Sequence, residues 1–316
     1  MTRFETAFAR WTPIRLLAAF AKRTYPAGFK GLSLYEVSVL FFKEINNNRL
    51  SERSAAVTYN FLMAIPPTLL FLFSLVPYLP LGDVQETINK TIMQVMPQTP
   101  VRTSLINVIN DFLSNERRDL LSFGIILALF FSSNGMMGLM RSFDRTLPVY
   151  VKRTKLRRRW TAIKLTIMLM CVALISLGVL IIQTSAVNKF LLALFESIIA
   201  VKLLSLFIVL AIIFCSISII YTYGPSLTNR FQFISAGSVF ATITNAITTT
   251  VFFFLVNNFI HYNQVYGPIG TLIAFMVWMW LNTMAILLGY ELNLSILLAR
   301  SARDRAKESG EAELLI

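Results

Sequence analysis

The chain has 316 residues, of which 56% are hydrophobic and 14% are charged, and its formal net charge is +13. Soluble domains carry about 25% charged residues, so this composition, with a mean hydropathy of +0.65, excludes an ordinary soluble enzyme or binding domain. In a soluble chain the positive charge would suggest nucleic acid as a partner. Here the basic residues lie beside long apolar segments, which is typical of a membrane protein and not of a nucleic-acid-binding one.

The first 50 residues contain two predicted short amphipathic helices. Thr12 followed by Pro13 resembles a helix N-cap with a first-turn proline. Ser33 with Glu36 three residues later is a capping-box pattern, which predicts a helix that runs to about Asn46. We expect this helix to lie on the membrane surface or against the helix bundle. Because the region has no uninterrupted apolar core, we expect no cleavable signal peptide.

Six apolar stretches are long enough to cross the hydrocarbon core of a bilayer as helices, for which about 20 residues suffice. They lie near 55–79, 119–140, 161–184, 202–222, 232–256 and 266–292. Only helices and closed barrels satisfy the backbone in lipid, and these stretches are too long and continuous for barrel strands. The predicted fold is therefore all-α, with a bundle of six transmembrane helices in residues 51–300 and a charged tail in 301–316.

The connecting segments differ in charge between the two sides of the predicted bundle. Nine lysines and arginines precede the first span, eight lie within 141–160, one (Arg230) separates spans four and five, and four follow span six. The loop 80–118, on the other side, contains a similar number of acidic and basic residues. The positive-inside rule then places both termini in the cytoplasm, and the basic run is expected to attract anionic lipid.

Two sets of residues inside the spans are most simply interpreted as residues that pack against other helices and take no part in chemistry. Cys171 and Cys215 fall in spans three and four, where we expect buried free thiols and not a redox pair or metal site. On span five, small polar residues recur at steps of three and four and share one helix face. This polar stripe consists of Ser235, Ser238, Thr242, Asn245 and Thr249. It favours close helix packing with interhelical hydrogen bonds, and the alternative is the lining of a polar cavity.

A further set of polar residues shares one depth at the cytoplasmic side, where span one starts, spans two, four and six end, and span five starts. Uncompensated polar groups are costly in hydrocarbon, so these residues need partners or a function. The candidate substrate-binding residues are Arg53, Tyr59, Asn60, Asn134, Arg141, Tyr221, Tyr223, Glu291 and Asn293. The layer predicts either a ring of structural bonds or a polar pocket that opens to the cytoplasm or the inner leaflet.

Glu291 is the carboxylate of this layer, at the end of a run without charge from Ile269 to Leu288. One interpretation is an ion pair with Arg53 or Arg141 that ties span six to span one or two. The alternative is that one of these arginines binds an anionic group, while Glu291 orients that arginine or exchanges a proton.

Four motifs between about residues 50 and 300 are similar to those of one family of membrane proteins. They are Arg53-Ser-Ala-Ala-Val-Thr-Tyr-Asn, Phe131-Ser-Ser-Asn-Gly, Tyr262-Asn-Gln-Val-Tyr-Gly-Pro-Ile-Gly and Gly289-Tyr-Glu-Leu-Asn. In these motifs the chain resembles the YihY/virulence factor BrkB family. The third motif supplies the outer residues of interest, which are Tyr262, Asn263, Tyr266, Gly267 and Gly270.

The resemblance implies a protein of the bacterial inner membrane, in a family linked to serum resistance, solute transport and envelope lipid traffic. Some members carry the name ribonuclease BN. Metal-dependent RNA cleavage needs a cluster of His and Asp in water, and this chain has a single histidine, His261, on the predicted outer side. We therefore expect no enzyme activity, no catalytic residue, no metal and no cofactor.

Three functions are compatible with these patterns. The first is a transporter or translocation partner for a lipid or other amphiphile of the cell envelope, because arginines lie at the inner leaflet and no GxxxxGK[ST] motif is present. The second is a secondary transporter of a small solute or ion, which would use Glu291. The third is a scaffold without transport activity, which would bind a periplasmic or membrane protein through the loop 80–118. Membrane lipids are expected partners.

Overall fold

The structure is a computed structural model that describes residues 19–29, 31–47, 49–75, 106–107, 123–144, 149–182, 198–258 and 268–308. Within these ranges the regular structure is helical, and strand-like pairing is limited to one isolated bridge between Tyr150 and Leu227. The long helices are α1 (Leu34–Asn47), α2 (Leu50–Leu75), α3 (Phe123–Phe143), α4 (Lys155–Ile182), α5 (Ile198–Tyr223), α6 (Ala236–Asn258) and α7 (Pro268–Glu308). A short 3-10 turn, Ala27–Phe29, precedes them.

Helix α1 begins at the predicted capping box, which is confirmed. The Ser33 amide donates to Glu36 Oε2 at 2.9 Å, and the Glu36 amide donates to Ser33 Oγ at 3.2 Å, so two amides at the start of the helix are satisfied reciprocally. Val37 is fully buried in a cluster with Ile296 and Ala299 of α7. This side of α1 therefore packs against the helix bundle.

A helix is present at each of the six predicted spans. Within the described residues, four helical segments are long and apolar enough to cross a membrane, namely Lys155–Ser176, Leu203–Tyr223, Ala236–Val256 and Leu272–Arg305. These segments belong to α4, α5, α6 and α7. The other two predicted spans overlap α2 and α3, which have 26 and 21 residues. Over the described residues the regular structure is thus all-helical, as expected for a membrane protein with several apolar helices.

Most helix ends differ from the boundaries of the predicted spans, and two of the differences concern the site and the tail. Helix α6 begins at Ala236 instead of 232, because Ser235 caps it: the Ser238 amide donates to Ser235 Oγ at 3.2 Å. Helix α7 continues past the last predicted span, 266–292, to Glu308, and so includes the first residues of the charged tail in one helix of 41 residues. Apart from 106–107, the predicted loop 80–118 lies outside the described residues, as do 1–18 and 309–316.

The expectation of two buried thiols is wrong for one of them. Cys171 and Cys215 are both free, but Cys171 is exposed on α4 and Cys215 is half-buried. An apolar residue of a membrane helix can face either lipid or another helix. The hydropathy of the sequence does not distinguish these two surroundings.

Glycines allow the helices to approach closely at two crossings. Between α2 and α3, a Cβ atom on Gly138 would lie 2.6 Å from Asn60 Cβ. Between α6 and α7, a Cβ atom on Gly237 would lie 2.1 Å from the carbonyl oxygen of Gly289. Neither position has room for a side chain. At Gly237 backbone packs against backbone, and at Gly138 the backbone of α3 packs against the Asn60 side chain of α2.

Candidate functional site

The ends of the helices that carry the basic residues meet at one end of the bundle. Arg153, before α4, donates hydrogen bonds of 2.8 Å to the carbonyl oxygens of Gly224 and Pro225, which follow α5. Burial lowers the pKa of the Arg153 guanidinium, and the charge of Asp144 partly opposes this shift. These bonds fix the start of α4 beside the end of α5.

Asp144 is a site residue that the sequence patterns did not single out. Its Oδ2 lies 2.9 Å from Arg158 Nη2, and its Oδ1 accepts a hydrogen bond of 2.7 Å from the Ser226 hydroxyl. It therefore ties the end of α3 to α4 and to the connection between α5 and α6. An isolated carboxylate within a strongly basic segment was the signal available in the sequence.

Arg53 and Glu291 form an ion pair between α2 and α7. Arg53 Nη1 lies 2.8 Å from Glu291 Oε1, and the Glu291 side chain is completely buried while that of Arg53 is 19% exposed. The second terminal nitrogen of Arg53 donates to the carbonyl oxygen of Ser142. Of the two arginines considered as partners for Glu291, the structure thus pairs Arg53, which links α2, α3 and α7.

Tyr221 lies in an aromatic cluster and not in an open pocket. It is fully buried, and its hydroxyl donates to the carbonyl oxygen of Ile286 on α7. Beside it, the Tyr290 ring stacks on Phe143 with centroids 4.1 Å apart, and its hydroxyl lies within hydrogen-bond distance of the Tyr150 hydroxyl. Tyr150 and Tyr290 were not among the predicted site residues.

Asn293 and the polar stripe lie where α6 contacts α7. Asn293 Oδ1 accepts a hydrogen bond of 2.7 Å from the Gly237 amide, and its Nδ2 donates to Ser235 Oγ at 2.8 Å. Farther along, Asn245 donates to the Asn282 carbonyl oxygen at 3.2 Å. The stripe therefore supplies hydrogen bonds between the two helices.

The remaining stripe residues take part in the same contact or bond within α6. Thr249 donates to the Asn282 side chain at 2.9 Å. Ser238 and Thr242 are buried, and the Thr242 hydroxyl donates to the Ser238 carbonyl oxygen at 2.8 Å. This geometry corresponds to close packing and not to the lining of a cavity, except for Ser235, which also lines the α6–α7 cavity described below.

Asn134 contacts a different arginine from the one that holds Glu291. Its Oδ1 accepts a hydrogen bond of 2.7 Å from Arg159 of α4. The same guanidinium donates to the Phe130 carbonyl oxygen at 2.8 Å, and its carbon lies 3.5 Å from the Phe130 ring centroid. Arg159, which the sequence assigned only to topology and lipid attraction, thus links α4 to α3.

A cavity of about 370 Å³ opens between α2 and α3. This α2–α3 cavity is lined by Arg53, Ala56, Asn60, Gly138, Arg141, Ser142 and Asp144. Arg141 is exposed and makes no hydrogen bond or ion pair with any residue that the structure describes. The lining of the cavity therefore includes one guanidinium held in place, one exposed guanidinium, and an asparagine side chain.

The other predicted site residues lie apart from this cavity or outside the described residues. Tyr59 and Tyr223 are 62% and 40% exposed, and the Tyr223 ring lies 5.7 Å from the guanidinium of Arg230. Gly270 is buried in the first turn of α7. Tyr262, Asn263, Tyr266, Gly267 and His261 lie outside the described residues. Among the residues described, no three His, Cys, Asp or Glu side chains are grouped to hold a metal ion.

Comparison with known proteins gives one family and several relatives. The model of the family described as Virulence factor BrkB matches residues 41–313. The chain is 34% identical over 251 residues to the ribonuclease-like protein YfkH of Bacillus subtilis (strain 168), with 76% of this chain and 88% of YfkH covered. It is 24% identical over 272 residues to a UPF0761 membrane protein of Haemophilus influenzae (strain 86-028NP), with 83% and 95% covered. No solved structure matches the chain.

Proposed function

Because the chain belongs to the virulence factor BrkB family of membrane proteins, we propose that it binds an amphiphile with an anionic headgroup and takes part in its transport or translocation in the cell envelope. The α2–α3 cavity is the observation that carries this proposal. One of its two arginines is paired with a carboxylate and the other is not, and its volume suits a lipid headgroup. It also adjoins the face of α2 that carries the exposed Met63.

The charges around the cavity leave Arg141 for a ligand. Arg53 is compensated by Glu291, and Asp144 is compensated by Arg158. Arg141 has no such partner among the described residues. A guanidinium binds phosphate through two parallel hydrogen bonds, so a phosphate-bearing headgroup fits the chemistry of this cavity.

The size of the cavity favours a headgroup over a whole lipid. Its volume of about 370 Å³ is near the lower end of the range for small-molecule sites, about 300–1,000 Å³. Ala56, Asn60 and Met63 are spaced by four and three residues and so share one face of α2. Met63 is 58% exposed, and acyl chains would lie along this face outside the cavity.

The proposal includes a membrane topology. Helices α2 to α7 would cross the inner membrane six times, with both termini and the α2–α3 cavity on the cytoplasmic side. Support comes from the basic residues, which lie in 141–160, at Arg230 and at the end of α7. These segments follow α3, α5 and α7 and precede α4 and α6, so alternating helices place them on one side. The cavity would then face the headgroups of the inner leaflet.

Lipid movement in proteoliposomes tests this function. The full-length protein is reconstituted with fluorescent phosphatidylglycerol, and its exchange between leaflets is followed by chemical quenching from outside. We expect faster exchange than in protein-free liposomes and a rate about tenfold lower for Arg141→Gln, the loss that one charge-assisted contact accounts for. Arg157→Gln removes an exposed arginine that does not line the cavity and is the matched control. Equal rates for the two variants would refute the proposal.

A secondary transporter of a small solute or ion is the second candidate, and the complete burial of Glu291 favours it. Intramembrane carboxylates commonly mark ion pathways. Uptake driven by an ion gradient, abolished by Glu291→Gln and unaffected by Arg141→Gln, would favour this function over lipid transport. A scaffold function through the loop 80–118 would instead be supported by a protein partner crosslinked at that loop.

A further inference from the structure

A second cavity, of about 620 Å³, lies beside α6 and α7. Its walls are the connection from Asn229 to Ala236, the face of α7 from Asn293 to Asp304, and Gly28 of the 3-10 turn. We call it the α6–α7 cavity. Asn293 follows Glu291 by two positions, which places the two side chains about 200° apart around the helix axis. Glu291, which holds Arg53 of the α2–α3 cavity, therefore points away from the α6–α7 cavity, and no residue lines both cavities.

Two guanidiniums and one carboxylate determine the charge of the α6–α7 cavity. Arg300 Nε lies 3.8 Å from Asp304 Oδ2, and both side chains are more than half exposed, so this ion pair is weak. Arg230 is exposed and makes no hydrogen bond or ion pair within the described part of the chain. The cavity thus has an excess positive charge and attracts an anion.

The polar wall of the cavity is fixed, while its mouth is apolar. Asn293 is buried and bonds to Ser235 and to the Gly237 amide, so these groups hold the start of α6 against α7. Ile234 lines the cavity and is 72% exposed, and its neighbour Phe233 is 42% exposed. Large apolar side chains this exposed beside cations match a ligand whose anionic group continues into an apolar chain.

We propose that the α6–α7 cavity is a second binding site for a phosphate-bearing headgroup, with Arg230 and Arg300 as its cationic ligands and an acyl chain beside Ile234. This site is separate from the transport site proposed above, because it shares no lining residue with it. Its volume exceeds that of the α2–α3 cavity, so it accepts a larger headgroup.

Native mass spectrometry of the full-length protein in detergent tests this site. Phosphatidylglycerol is titrated against wild type, an Arg230→Gln/Arg300→Gln variant and an Arg305→Gln control, which removes an exposed charge of α7 outside the cavity. We expect wild type to bind two phosphatidylglycerol molecules more tightly than phosphatidylcholine. The double variant should bind one of them at least about tenfold more weakly, and Arg305→Gln should bind both as wild type does.

Two outcomes would overturn the proposal of a lipid site in the α6–α7 cavity. The first is that the double variant binds two lipids with the same affinities as wild type. If glycerol phosphate binds there as tightly as phosphatidylglycerol, the ligand is a soluble phosphate ester and the lipid assignment is wrong. If the double variant misfolds, Arg230→Gln alone provides the test, because Arg230 lies in a connection and makes no described hydrogen bond. This single variant should show part of the loss of phosphatidylglycerol affinity.

The two proposals fail separately in this experiment. Arg141→Gln should weaken the other phosphatidylglycerol molecule and leave the one at Arg230 and Arg300 unchanged. An Arg141→Gln variant that binds both lipids normally would refute the proposed function and leave the α6–α7 cavity supported. Loss of both lipids in the Arg230→Gln/Arg300→Gln variant would refute the separation of the two sites.

Discussion

The contact between α6 and α7 and the cavity between α2 and α3 lie at the same end of the bundle and use similar residues. At the first, Gly237 meets Gly289, and both polar atoms of the Asn293 side chain are hydrogen bonded. At the second, Gly138 meets Asn60, but the next turn of α3 presents Arg141 to an open cavity. Close helix packing therefore accounts for the α6–α7 contact itself, whereas at the α2–α3 crossing one of the two helices also carries an arginine that no described residue compensates.

The two arginines of the α2–α3 cavity show the same contrast between a bonded and an unbonded side chain. Arg53 bonds to Glu291 and to the Ser142 carbonyl oxygen, and removing it would affect three helices. Arg141 makes no bond to a described residue, so its removal should leave the fold intact. Stability and ligand binding should thus separate between these two positions.

The largest loss of stability is expected for Arg53→Ala. Removing one member of a buried ion pair typically costs about 3–5 kcal/mol, because the other charge is left uncompensated. Thermal unfolding of the purified protein in detergent measures this loss. An Arg53→Met/Glu291→Met double variant, which removes both charges, should be more stable than Arg53→Met alone. Equal stability of those two variants would contradict a structural ion pair.

A smaller loss is expected at the glycine crossing of α6 and α7. Gly237→Ala places a Cβ atom against the Gly289 carbonyl oxygen, and overpacking of this kind costs about 1–3 kcal/mol. The Gly237 amide would also move away from Asn293. Val239→Leu adds a methylene to an exposed position of the same helix and should change the unfolding temperature little. An unchanged unfolding temperature in Gly237→Ala would show that the helices are not in close contact.

The ion pair at the end of α3 should contribute less. Asp144 and Arg158 are partly exposed, with 19% and 29% of their side chains accessible, so Arg158→Gln should cost about 1 kcal/mol, the upper end for exposed pairs. A double-mutant cycle with Asp144→Asn isolates the coupling between the two residues. If the loss in the double variant equals the sum of the two single losses, the two residues do not stabilise each other and the ion pair contributes nothing.

The smallest change in stability is expected for Arg141→Gln. Surface substitutions away from bonded groups usually stay within about 0.5 kcal/mol, so its unfolding temperature should match that of Arg157→Gln. A marked drop in unfolding temperature would mean that Arg141 has a structural partner and that the separate roles given to Arg53 and Arg141 are wrong.

Much of the helical architecture follows from local features of the sequence. The capping box at Ser33 fixed the start of α1 because its hydrogen bonds join residues three positions apart. The six apolar stretches located α2 to α7 because backbone bonding in lipid requires helices. The end of the apolar run did not locate the end of α7, because a helix can continue beyond its membrane-spanning segment, as α7 does to Glu308.

The partners within the site depend on how the helices rotate and cross, which no local pattern encodes. The choice of Arg53 over Arg141 for Glu291 was open for this reason, since both arginines were expected at the same depth. Asp144 was overlooked because its partners, Arg158 and Ser226, come from two other segments. The hydroxyl contact of Tyr150 with Tyr290 joins residues 140 positions apart and had no signal in the sequence.

A structure determined in nanodiscs of native lipid tests the central claim, that Arg141 binds the headgroup of an amphiphile while Arg53 supports the fold. We predict elongated non-protein density between α2 and α3, with its polar end at the Arg141 guanidinium and its chain along Met63, while Arg53 stays paired with Glu291. A cavity without density, or one in which a protein side chain binds Arg141, would contradict the claim.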